Sequence, residues 1–257
     1  MVGFWTMFNQ LFYTLPTFIE DWVNTHALHD SIAEVSPWIA SAMSGGGSSV
    51  NPEMLINLDA GSIILFKLIV SYFVLRIRHV SAMISGFIVA AIGIGITFYT
   101  GNGLYTILGI MIFAIGEMMT NPTFSSFIAL ISPKGKEALY MGTYFLPIFL
   151  GNFLTTFVSG NLYQAWSDKL SLLQTEMSRR GIDMPEITQE FTKNNYFASA
   201  SEKLGMTETE MTQFIWDSYN PNKIWYVIVG IGVVTILALT VYDRVVIRPK
   251  EQAKINS

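Results

Sequence analysis

The chain has 257 residues, of which 51% are hydrophobic and only 13% charged, with 15 Lys and Arg against 19 Asp and Glu and a net charge of -4. That balance, with the apolar residues gathered into several long runs, excludes an ordinary soluble domain and predicts an all-α polytopic membrane protein. The weak negative charge without a basic patch points away from nucleic acid, and the absence of cysteine excludes disulfides and thiolate chemistry.

Six spans follow in chain order. Val2 to Phe18 is the first, barely long enough and carrying Pro16. A span opening at residue 2 without a basic n-region or small-residue cleavage site is not a signal peptide, and it gives the expectation that sequence precedes it. A long outer connection, 19–57, holds Glu20, Asp21, Trp22, His26, His29, Trp38 and the flexible run Gly45 to Ser49. His26 and His29 share a helical face, but no third ligand stands at a telling spacing, so no metal site is expected. Leu58 to Leu75 is the second span, with Asp59 near its outer end and Lys67 near mid-depth; Val80 to Tyr99 is the third.

The fourth span, Leu104 to Leu130, is the most informative. At about 1.5 Å per residue it crosses a bilayer of about 30 Å with some tilt, and Glu117 stands at its centre. A carboxylate at that depth costs several kcal/mol unless it is protonated, paired or beside water, so such residues mark proton relays and substrate paths. Its other reading is a protonated side chain that only joins two helices. Asn121, four residues on, shares its helix face. Pro122 frees a backbone carbonyl, which is tolerated where a cavity receives it.

Leu139 to Tyr163 is the fifth span, interrupted by Gly151 and Asn152, and Ile224 to Val241 is the sixth. Between them, 164–222 reads as a partly helical outer connection. There Thr207 to Glu210 fits a capping box, and Met211, Phe214, Ile215 and Tyr219 share one helical face for packing. Asn9 and Gln10 in the first span, Tyr144 and Asn152 in the fifth are uncharged polar residues suited to line a cavity or to join helices. Arg76, Arg78, Lys134, Lys136, Arg244, Arg248, Lys250 and Lys254 follow spans two, four and six, whereas 19–57 holds no Lys or Arg. The positive-inside rule then places both ends of the segment in the cytoplasm of a plasma or inner membrane. No grouping of Ser, His and Asp builds a nucleophile, so no enzyme is expected.

Gly116-Glu117-Met118, Asn121-Pro122 and Ser125 resemble the tenth-helix signature of the proton-dependent oligopeptide transporters of the major facilitator superfamily. Ser132-Pro133-Lys134, Met141-Gly142, Phe145-Leu146 and Gly151-Asn152 are similar to that family's passage into its eleventh helix. Phe8 and Gln10 fit the seventh, and Leu58-Asp59 the start of the eighth. The resemblance implies a six-transmembrane-helix bundle forming the C-terminal half of a twelve-helix transporter, whose missing N-terminal half is its partner in the bilayer. It implies symport of small peptides with the proton as coupling ion and no other cofactor. Glu117 would meet the peptide amino group or the proton, Asn121 and Asp59 would add polar contacts, and Asn9, Gln10, Tyr144 and Asn152 would line the cavity. Departures stand at Asn9, where the family often has Glu, at Asp59-Ala60 for Asn-Pro, at Tyr144 for Trp, and at Lys67, which has no counterpart. An ammonium at the depth of Lys67 needs compensation, and Glu117 or a wet cavity is the expected source. Two other readings are a facilitator for a different solute and a six-helix assembly protein that transports nothing.

Overall fold

The computed structural model describes residues 1–255; the side chains of several residues beyond 250, Lys254 among them, lie outside the described ones. It is all-helical, with no strand among the described residues. Among the described residues, five helical stretches are long and apolar enough to cross a membrane: Pro52–Val74, His79–Tyr99, Gly103–Ile131, Glu137–Arg179 and Pro221–Lys250. That is consistent with a multi-pass membrane protein.

The region expected as the first span is divided. It forms α1 (Val2–Phe8), α2 (Gln10–Tyr13) and α3 (Leu15–Trp22), none long enough to cross alone. The breaks are shallow, because Asn9 and Thr14 keep right-handed helical angles, φ -65° and -101°. Hydrogen bonds Asn9 N to Trp5 O, Thr14 N to Gln10 O and Phe18 N to Thr14 O carry the ladder through. Two short helices follow, α4 (Thr25–Val35) and α5 (Pro37–Ser44).

The core packs α1 to α3 against α7 (His79–Tyr99), α8 (Gly103–Ile131) and the first turns of α6 (Pro52–Val74), with α7 and α8 the most extensively packed pair. Glycine sets their separation. A Cβ on Gly93 would collide with the backbone of Phe113, and one on Gly116 with the backbone of Ala90. Without a hydrophobic force between helices in lipid, such close backbone approach is what binds them. The helix α8 starts where the Asn102 side chain accepts from Leu104 N at 2.9 Å. It runs unbroken through Pro122.

The fifth region is broken as well. After α9 (Glu137–Thr143) comes α10 (Phe145–Phe157), a π-helical turn at Val158–Leu162, and α11 (Tyr163–Trp166). It rests on α1 through Gly151, whose Cβ would collide with Trp5. Beyond the break at Ser167 and Asp168 lie α12 (Lys169–Arg179), α13 (Lys193–Leu204) and α14 (Glu208–Tyr219), which cover the same end of the bundle as α4 and α5. We call this the broad end. The capping box of α14 is present, Thr207 and Glu210 each bonding the other's backbone N–H, and Met211 and Ile215 are buried beneath it. The last span is α15 (Ile224–Tyr242), ending in a π-helical turn at Asp243–Ile247 and α16 (Arg248–Ile255). At this narrow end the buried Asp243 carboxylate receives Arg78 at 2.8 Å and Arg248 at 2.7 Å, tying α7 to the end of α15.

Candidate functional site in the membrane-spanning core

Glu117 is the central residue of α8. The glycine contacts commit one side of α8 to α7, and Gly116, next in sequence, fixes the rotation that turns Glu117 toward α6. There its carboxyl lies beside that of Asp59 across the packed α6–α8 face, with Asn121 one turn along α8. Asp59 is only 5% exposed. Each carboxyl keeps one buried oxygen without a partner, Oδ1 of Asp59 and Oε2 of Glu117. The Tyr144 hydroxyl, at the break between α9 and α10, donates to Oδ1 of Asn121, and its ring lies 5.3 Å from that of Phe124. Four polar side chains from three regions of the chain thus form one network: Asp59, Glu117, Asn121 and Tyr144.

The other expected site residues stand elsewhere. Lys67 does not pair with Glu117; it is exposed on α6, eight residues after Asp59 and so about 80° around the helix. Among the described residues it has no ion pair. The carboxyl expected to answer an ammonium answers another carboxyl instead. Asn9 donates to Oδ1 of Asn152 at 2.6 Å, and Thr155 donates to the Thr6 carbonyl at 3.3 Å, so both asparagines join α1 to α10. Gln10 is fully buried; its amide donates to the Thr6 carbonyl at 3.0 Å and its oxygen accepts from Thr14. It splices the shallow breaks of its own region rather than lining a cavity. His26 is bonded to the Ser48 carbonyl and His29 to Asp30.

A strongly apolar crevice of about 810 Å³ between α7, α8 and α15 is not at this network. Leu108 in its wall is nine residues before Glu117, half a turn away around α8. Its lining is mostly hydrocarbon, among it Ile88, Ile92, Leu108, Val229 and Val233, with the polar groups of Tyr99, Thr100, Tyr105 and Trp225 at one end and no charged side chain.

The signal for the network was present in part. Glu117 and Asn121 stood at helical spacing, and Asp59 was singled out as polar. The contact between Asp59 and Glu117 was missed because it depends on the register of α6 against α8, which no spacing within either helix encodes. No family model, curated protein or solved structure matches this chain.

Proposed function

We propose that this chain is a six-helix bundle of a major-facilitator-type secondary transporter, moving small peptides together with protons. The observation that carries this reading is the network at the middle of α8, where two carboxyls, an amide and a phenol converge from three helical regions. Polar groups at that depth are expensive and are kept where a solute or a proton passes.

Three further features support it. The near-continuous ladder through α1, α2 and α3 supports reading this region as a sixth span beside the five long apolar stretches. The exposed faces of α6 and α10 carry Leu65, Leu68, Ile69, Phe145, Phe149 and Phe153. An exposed ammonium at Lys67 among such residues is costly against lipid, so that face suits a water-lined path and a second six-helix bundle better than hydrocarbon. By the positive-inside rule, the basic residues at the narrow end support an orientation with that end in the cytoplasm and the broad end, with helices α12 to α14, outside.

In such a transporter the two bundles rock about a midplane site, exposing it to each side in turn. Glu117 exchanges the proton or meets the substrate's amino group. Asn121 and Tyr144 hold its carboxyl in place. The presence of Asp59 where the resembled family has an uncharged residue favours a solute carrying a positive charge at this point. The test is uptake into proteoliposomes of the complete two-bundle transporter under an inwardly directed proton gradient, with a labelled dipeptide and unlabelled competitors. Competition by peptides with a free amino group is the expected result. Competition confined to sugars, nitrate or amine-free drugs would assign the site to another solute.

A further inference from the structure

Asp59 and Glu117 face one another without a cation between them. On α6 the nearest ammonium, Lys67, lies on another side of the helix. On α8 the neighbour is the Asn121 amide. From the α9–α10 break comes the Tyr144 hydroxyl, already donating to Asn121. The spanning part of α7 carries no charged residue after His79 at its start. From α3, packed against α6, the buried acid is Asp21, which is bonded to Lys193 at the broad end.

We propose that Asp59 and Glu117 act as a single two-carboxyl unit that holds one shared proton at rest and takes up a second when the transporter is loaded. This rests on the transport reading of the same site and names its proton-binding group. Two carboxylates in contact away from water repel strongly, and each lacks the hydration that would sustain its charge. One proton between them turns repulsion into a charge-assisted O–H···O hydrogen bond, the strong kind. The resting unit then carries one negative charge, offset by the Asn121 amide. The second proton comes from water on the open side and sits on one of the two unpartnered oxygens, Asp59 Oδ1 or Glu117 Oε2. The unit becomes neutral, and its own charge no longer opposes closure of the bundles over it. Release to the other side restores the one-proton state.

A metal cation fits the same place less well. It needs a shell of several oxygens at fixed distance. Here the Asn121 oxygen is occupied by Tyr144, and no group of three metal-ligating side chains occurs among the described residues.

The experiment is infrared difference spectroscopy of the full chain in lipid nanodiscs, following the C=O stretch of protonated carboxyl groups through a pH titration. It needs no uptake, so it stands apart from a failure of the transport reading. Wild type should keep a protonated-carboxyl band at pH 7 and titrate in two steps that belong to the pair. Asp59→Asn and Glu117→Gln should each leave one step, displaced from both wild-type midpoints by about one pH unit or more. If Asp59→Asn fails to fold, Glu117→Gln alone decides, read through the Asp59 band. Either of two results overturns the proposal: a midpoint for the remaining carboxyl unchanged by loss of its neighbour, or replacement of the band by sodium at constant ionic strength.

Discussion

The molecule buries acidic groups at its broad end and in its spanning core and treats the two in opposite ways. At the broad end Glu176 is fully buried, and it is surrounded: Arg180 Nε at 2.7 Å, Arg179 Nη2 at 3.0 Å and the Tyr219 hydroxyl at 2.8 Å. Burial pushes its carboxyl up, but the bonds from Arg180, Tyr219 and Arg179 outweigh burial and hold it below the ordinary value. In the spanning core Asp59 and Glu117 have no cation and keep two bare oxygens. The first arrangement is a staple, in which every lone pair that matters is answered and the proton has no reason to move. The second leaves an unanswered demand, which the proposed transport reading assigns to a proton or a solute. Asp21 at the broad end is answered as well, by Lys193 at 3.2 Å and Tyr163 at 3.0 Å.

Breaking the staple should have the largest effect on stability. Glu176→Gln keeps the shape but loses hydrogen bonds to charged partners, each worth about 1.5 to 3 kcal/mol. The opening of α12 and α14 should become easier by about 2 kcal/mol, measured as faster hydrogen exchange of their amides, with the spans unaffected. Equal protection in both proteins would show that the staple is decoration.

Acid should act on the same contact. A carboxyl held below its ordinary value of 4.5 contributes stability that is present above that value and lost as pH falls through the folded one. Protection of α12 and α14 should therefore fall progressively below about pH 4.5 in wild type. In Glu176→Gln that dependence should be reduced. Unchanged acid sensitivity in the variant would assign it to other groups.

The smallest effect is expected at the edge of the core network. Asn121→Ala removes hydrogen bonds worth about 0.5 to 1.5 kcal/mol and no charge, so KM for the transported solute should rise by roughly 2- to 12-fold with little change in maximal rate. A fall in maximal rate at unchanged KM would move Asn121 from binding to proton movement.

How these regions read from sequence follows from what each depends on. The long apolar run around Glu117 announced a spanning helix with a charge at its centre, because length and hydropathy are properties of one segment. The Thr207 capping box was equally local. Glu176 carried a signal that went unread, since Arg179 and Arg180 stand three and four residues on, at helical pairing distance. Asp21 and Lys193 are 172 positions apart, and no local pattern joins them. The pairing of Asp59 with Glu117 rather than of Lys67 with Glu117 was hidden for the same reason: close glycine contacts at Gly93 and Gly116 set how α8 turns. The broken first region escaped because Asn9 and Thr14 interrupt the helix only shallowly, with helical angles kept.

The most direct measurement is proton-driven uptake by the Glu117→Gln variant of the complete transporter across pH 5 to 8, beside solute counterflow without a gradient. The substitution preserves shape and removes the charge and its titration. Gradient-driven uptake should be abolished at every pH while counterflow persists, since exchange needs the bundles to alternate but no net proton to move. Uptake at the wild-type rate throughout that range would contradict a transport role for the core network and leave Glu117 a residue that only joins α8 to α6.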